Sequence, residues 1–479
     1  MMDEMKNTLE NLIKQALESV GAPETKFTVE HPINLAFGDY TTNAGIVSKK
    51  GDSLLQYIVA NLPDGVEKVE IKSGFINFYL SKEFFKKSVG EIIEAGDEYG
   101  KNKRLNGEKI IVEHTDANPF KLLHIGHLMP LTIGSTLAHL FGWNGAESKQ
   151  SCYQGDVGMH VAKAVWALKN GSELNEAYAV GNRAFEEDEN AKQEISEINK
   201  KLYTRSDEEI NKTYDVGRKA SLDSFEEVYK KLGLKFDYSF FESEVAETGK
   251  QIVLENKGNV FEESEGAIVF HGEKYDPSLH TRVFINSEGL PVYEAKDLGL
   301  AKVKFETYPC DQSIIVTANE QSGYFKVLLK ALELVLPELA QKTKHIAHGT
   351  LRLPTGKMSS RTGDVITAES LIDTVKEKVK GDEAVAIGAI KYMILRQSIG
   401  NDIIFDLEKS VSTEGDSGVY LQYAHARTNS LLEKAKEEKM KGDANGERKE
   451  THEIEKLLYR FPEIVERAGV DYSPNIIVT

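Results

Sequence analysis

The 479-residue chain is 40% hydrophobic and 28% charged, a composition that supplies roughly two to four cored domains and is not that of a disordered protein. Its formal net charge of −17 excludes indiscriminate nucleic-acid binding, so any RNA contact must be local, through a few basic stripes. Residues 1–10 lack the basic start and apolar stretch of a secretory signal, no apolar run is long enough for a membrane helix, and Cys152 and Cys310 are too few for a disulfide framework or a Cys-rich zinc site; a cytoplasmic protein with two buried thiols is expected.

Residues 1–105 open with an acidic amphipathic helix, pass through the turn-rich Phe37-Gly38-Asp39-Tyr40-Thr41-Thr42-Asn43 and a second helix, and reach an alternating strand at 75–79. That predicts a small α+β domain, and the polar, basic stretch 101–107 reads as a linker. Next come an apolar strand at 109–113, a loop, a helix over 125–140 and a short strand at 148–153. Strand, crossover helix, strand is the start of a doubly wound parallel sheet. The stretch 172–247, dense in Glu, Lys and Asn at helical spacing, predicts a helical insertion at about 171–250. Strand signals at 267–270, 282–285, 313–316 and 345–347 are expected to continue the same sheet, giving a Rossmann-like catalytic domain over 106–366. From 367 to 479 only helices are predicted, at 383–397, 419–436 and 452–468, with an exposed loop at 437–449.

The sharpest chemical signal is His124-Ile125-Gly126-His127, placed where the first strand gives way to a helix. Helix N-terminal amides point outward there, and a glycine lets a nucleotide approach the backbone. Histidines three residues apart share a helical face, so both can donate to an α-phosphate as charge builds during displacement of pyrophosphate. The second signal is Lys357-Met358-Ser359-Ser360-Arg361, after a Pro354-Thr355-Gly356 turn. A loop of this kind can close over a triphosphate and neutralise the leaving group. Each signal alone is equally an ordinary surface feature. Together, in this order and separated by a long α/β region, they resemble the paired signatures of class I aminoacyl-tRNA synthetases.

The flanking residues sharpen the resemblance to the arginyl-tRNA synthetases. The run from Val112 to Lys121 is similar to that family's approach to its first signature, and Glu113 and Asn118 match its substrate-binding acid and amide. Tyr293 and Asp297, in Gly289-Leu290-Pro291-Val292-Tyr293-Glu294-Ala295-Lys296-Asp297, match its tyrosine and aspartate, and Gln321 its glutamine. Physical chemistry points the same way: a guanidinium is planar, always charged and needs carboxylates to accept its forked donors. Glu113 and Asp297 supply acceptors, Tyr293 a ring and a hydroxyl, and Asn118 and Gln321 can fix the amino-acid head group. Taken singly, Glu113 and Asp297 are as consistent with structural salt bridges.

The resemblance implies ATP with Mg2+, arginine and its tRNA as substrates, with His124, His127, Lys121 and Lys357 stabilising charge and Gly126, Met358, Ser359 and Ser360 lining the ATP site. It implies no structural metal, and a monomer. In its N-terminal domain Tyr40 and Asn43 are expected to face RNA, whereas Phe75 and Phe78 are expected in the core. Tyr423 and Arg427, i and i+4 on a helix similar to the entry of the family's anticodon domain, are expected to present one RNA-facing surface. The sequence departs from the family in a second signature with one lysine, in Gly155-Asp156-Val157-Gly158 without a tryptophan, and in Tyr324 where a histidine is usual. Family members continue through further helices beyond Thr479, so the anticodon domain is expected to be incomplete. Two alternatives remain open: a nucleotidylyltransferase sharing the histidine signature, and a non-catalytic tRNA-binding paralogue.

Overall fold

The structure, a computed structural model, describes residues 2–354, 366–440 and 450–479. They fall into two compact units: Met1–Asn102 with Leu431–Arg467, and Lys103–Ser430 with Ala468–Thr479. The three consecutive segments expected from the sequence are thus not the units of compactness. The stretch 431–467 groups with the N-terminal residues because side chains such as Tyr459 complete their core.

In the first unit, Leu9, Ile13 and Leu17 recur at four-residue spacing on the helix Met2–Ser19, so they share one buried face. The same core takes in side chains of a four-stranded antiparallel sheet of order β1-β2-β4-β3, formed by β1 (Val29–Glu30), β2 (Tyr40–Thr42), β3 (Val66–Lys72) and β4 (Phe75–Leu80). Alternation along β4 sends Ile76, Phe78 and Leu80 inward, so Phe78 is core as expected. Phe75 has the opposite parity and stands 42% exposed, which corrects its expected burial. Tyr40 is corrected the other way. It is fully buried, its hydroxyl 2.8 Å from that of Tyr459, and has no surface to offer RNA.

The second unit is built on a five-stranded, wholly parallel sheet of order β12-β11-β5-β6-β7, with β5 (Lys109–His114), β6 (Glu147–Gln154), β7 (Tyr238–Phe241), β11 (Gln312–Ala318) and β12 (Thr343–His348). Strand β7 was expected inside the helical insertion; it pairs with β6 instead, and the insertion proper is the helices Leu174–Glu187, Glu189–Thr204 and Glu208–Lys231. The signals at 267–270 and 282–285 also need correction. With β8 (Glu262–Ser264) they form a separate three-stranded antiparallel sheet as β9 (Ala267–His271) and β10 (Thr281–Ile285), whose Phe270 and Phe284 pack against Phe261.

The crossover helix Leu128–Trp143 is apolar nearly all round, as a helix buried on several sides must be. Gly134 lets it lie directly on β5, because a Cβ there would stand 2.3 Å from the His114 ring. Helices Glu383–Leu395, Gly418–Glu437 and Glu453–Val470 lie where periodicity predicts them. The helix expected to follow residues 357–361 is Ala368–Lys378, capped by the Thr367 hydroxyl. Both cysteines are buried free thiols, and no helix among the described residues is long and apolar enough to cross a membrane.

Candidate active site

Strand order reverses direction of growth at β5: the chain passes from β5 to β6 on one side and later adds β11 on the other. Open α/β sheets form a crevice at the carboxyl ends of strands beside such a point. A cleft of about 390 Å³ lies there, lined by Asp116, Asn118, His124, Gly126 and His127 after β5, by Thr317 and Gln321 from β11 and its exit, and by His348 at the end of β12. The loop carrying the β5 residues is bracketed by Thr115 and Phe120, both non-glycines at φ near +65°, a conformation retained only where surrounding structure enforces it.

The two histidines form a reciprocal cap. The His124 ring Nδ1 accepts from the Gly126 amide at 3.1 Å, and His127 Nδ1 accepts from the His124 amide at 3.1 Å. Both are therefore neutral, with their protons on Nε2. Burial, then the neighbouring charge of Lys121, keeps His124 below its usual range, and burial first and His124 second hold His127 down to about 3. The rings lie 4.0 Å apart, centroid to centroid. Two N–H donors at the mouth of a helix, with no proton of their own to lose near neutral pH, suit an oxyanion better than general acid–base work.

Lys121, whose Nζ lies 4.3 Å from the centre of the Tyr178 ring, supplies positive potential to both imidazoles and to buried His160. Lys357, Met358, Ser359 and Ser360 lie outside the described residues. Their flanks do not: Leu353 lines the cleft, and the Ile366 carbonyl accepts from the Ile125 amide at 3.1 Å.

Glu113 and Asp297, together with Lys304, line a small void of about 20 Å³ whose other walls are mostly apolar, Leu298, Phe325 and Leu332 among them. Glu113 is already paired, its Oε2 2.7 Å from Lys304 Nζ with both side chains almost wholly buried. Its acceptor capacity is accordingly shared with a protein cation, a partner 191 residues away that sequence spacing did not reveal. Replacing Lys304 with Met should strand a buried charge and cost about 3–5 kcal/mol of stability, read from urea unfolding.

The less compensated acids are Asp297 and Asp116. Burial chiefly, with Glu113, Glu242 and Glu294 adding to it, raises Asp297 to about 8, against the opposing hydrogen bond from the Tyr324 hydroxyl. Asp116 is pushed well above the carboxylate range by burial and then by Glu113 and Asp297, and its Oδ1 is buried with no hydrogen-bond partner. Asp116 was missed by sequence reasoning. Its one signal was a third acid three residues beyond Glu113.

Tyr293 does not line this cavity. It opens the helix Tyr293–Thr307 one turn before Asp297, half-exposed, with its hydroxyl 3.3 Å from His160 Nδ1 and its ring beneath Lys296. Among residues expected to meet RNA, Asn43 commits its amide oxygen to the Thr28 N–H, whereas exposed Tyr423 and Arg427 lie on one face, joined at 3.1 Å. Phe37, with Lys72 over its ring at 4.5 Å, and Phe75 are the exposed aromatics of the N-terminal domain.

The chain matches the family model for class I tRNA synthetases (R), catalytic domain, over residues 88–382, that for the arginyl tRNA synthetase N terminal domain over 7–80, and that for the DALR anticodon binding domain over 421–479. An arginine–tRNA ligase of Borreliella burgdorferi is 31% identical over 457 residues, spanning 86% of this chain and 78% of the relative. That of Clostridium perfringens is 29% identical, spanning 94% and 86%. The arginyl-tRNA synthetase of Thermus thermophilus superposes with a TM-score of 0.76 at 24% identity, over 99% of this chain and 89% of that one, a likeness of fold.

Proposed function

We infer how this cleft works from one premise: the chain belongs to the arginyl-tRNA synthetases, class I enzymes, and it ligates arginine to tRNA. In this reading ATP lies in the cleft with its α-phosphate against His124, Gly126 and His127, and Mg2+ accompanies the nucleotide. The guanidinium of arginine meets Asp297 and Glu113, and Asn118 and Gln321 hold the head group. The arginine carboxylate attacks the α-phosphate; pyrophosphate leaves, its charge met by Lys121, Lys357 and the Met358, Ser359 and Ser360 segment. A ribose hydroxyl at the 3′ end of the tRNA then takes the arginyl group from the adenylate. Tyr423 and Arg427 present a face to the RNA. The segments 1–105, 106–366 and 367–479 act as tRNA-corner, catalytic and anticodon modules of a cytoplasmic monomer.

The observation that carries the reading is the chemistry of one neighbourhood: two imidazoles fixed as Nε2–H donors in a cleft that Asp116 also lines, with buried Glu113 and Asp297 close enough to raise that acid further. Pyrophosphate exchange tests it. Exchange that requires arginine together with tRNA supports the synthetase mechanism; RNA binding without exchange supports a non-catalytic paralogue, and turnover of a small substrate without tRNA a nucleotidylyltransferase.

The same assay carries a pH signature. With its pKa raised to about 8, Asp297 is protonated in the empty protein below that pH, and arginine binds the ionised form. Apparent affinity for arginine should therefore strengthen as pH rises from 6.5, levelling above about 8, with protons released on binding; calorimetry in buffers of different ionisation enthalpy would read this. Affinity independent of pH over that window would remove Asp297 from the guanidinium.

A further inference from the structure

Tyr324 stands in the first turn of the helix Ser322–Val335, and its hydroxyl donates to Asp297 Oδ2. Its ring is held on two sides. The Arg282 guanidinium, from β10, lies 5.1 Å from the ring centre and is itself fixed by Glu294, Nη1 to Oε1 at 2.9 Å. Phe325 meets the ring edge-on at 5.2 Å. An aspartate carboxyl turns easily about its last torsion, so where its oxygens point depends on what binds them. A guanidinium fork discriminates only against a carboxylate held in its plane.

We propose that Tyr324 is a positioning residue for arginine selection: its hydroxyl fixes the carboxylate of Asp297 in the orientation that meets the guanidinium, and Arg282, tethered to Glu294, clamps the ring. This rests on the arginine-pocket reading above and adds to it a part played by three side chains that do not touch the reacting atoms. One donor on Oδ2 leaves Oδ1 and a further lone pair of Oδ2 for the ligand. Burial and the adjacent Asp297 hold the phenol well above its ordinary pKa, so it keeps its proton, and once Asp297 is ionised, as it is opposite a guanidinium, the carboxylate can only accept from it. The bond also opposes the acidic surroundings. Asp297 faces Glu113 on β5, Asp116 beyond it, Glu242 at the start of the helix Glu242–Glu255 and Glu294 on its own helix, with the Tyr153 hydroxyl nearby and Lys304 paired to Glu113. Tyr324 favours the charged form that arginine needs.

The test uses this chain with tRNA, comparing Tyr324→Phe, Tyr324→His and Asp297→Asn in arginine-dependent pyrophosphate exchange across pH. Tyr324→Phe is expected to raise KM for arginine roughly ten- to hundredfold, as loss of a hydrogen bond to a charged group does, with KM for ATP unchanged. The acid limb of kcat/KM for arginine should move to higher pH by about one unit. Tyr324→His, which restores an N–H donor, should recover part of both effects, and Arg282→Leu should reproduce a weaker version of the Phe variant. If Tyr324→Phe leaves KM and the acid limb in place while Asp297→Asn abolishes arginine use, the positioning role is wrong and the pocket stands. If Asp297→Asn is also silent, the pocket itself is misassigned. Equal loss in the Phe and His variants, without a pH shift, would reduce Tyr324 to packing.

Discussion

Asp297→Asn should lower kcat/KM for arginine roughly a thousandfold while leaving ATP affinity nearly unchanged, because it removes the acceptor assigned to the guanidinium and leaves the ATP cleft untouched. Asparagine keeps the size of the side chain but replaces an acceptor oxygen with an N–H2 aimed at the donors of the guanidinium. The neighbourhood magnifies the loss: Glu113 is shared with Lys304, so no second free carboxylate takes over. Asp116, which lines the cleft, is a poor substitute, because its own burial favours the protonated form. Steady-state exchange with arginine as varied substrate, paired with direct measurement of ATP binding, separates the two effects. Wild-type kinetics in this variant would count decisively against Asp297 as part of the arginine site.

His127→Ala should depress the rate of adenylate formation by roughly a hundredfold or more, with KM for ATP changed little, as removal of one oxyanion donor does. Alanine deletes two things at once: the Nε2–H that faces the cleft and the Nδ1 that caps the His124 amide. His127→Asn separates them, since its amide oxygen can still accept from that amide. Asparagine should therefore keep the local fold and still lose the rate. Recovery of wild-type turnover in the Asn variant would mean that the ring is a cap and nothing more. A loss of affinity alone, in either variant, would contradict stabilisation of the transition state.

Much of this was legible because the signals were local. The strand at 109–113, the turn into His124 and the following apolar helix are consecutive in the chain, so their pattern and their motif reinforced each other. The same holds for the last helices, whose periodicity runs long enough to be unambiguous. What was not legible depends on partners distant in sequence. Strand β7 is four residues long and follows a helix of 24, so nothing in its own pattern announced that it would pair with β6. Strands β9 and β10 read as strands correctly, but which sheet a strand joins is decided by hydrogen-bonding neighbours that periodicity does not encode. Glu113 read equally as a substrate acceptor and as a salt-bridge residue, because its partner Lys304 lies on another element. Tyr40 looked like a surface aromatic in a turn because Tyr459, 419 positions later, is what buries it.

That last pairing also bears on how the molecule comes to be made. Tyr459 fills the interior of the N-terminal unit with Tyr40, Phe84 and Phe85, and Lys456 reaches Asp39 beside it. On a ribosome adding about 5–20 residues per second, the beginning of the chain waits on the order of half a minute before the side chains that complete it emerge. During that interval an oily gap left by the missing ring stays open to water and to other nascent chains. A unit translated ahead of the parallel sheet is thus sealed only after that sheet has been made.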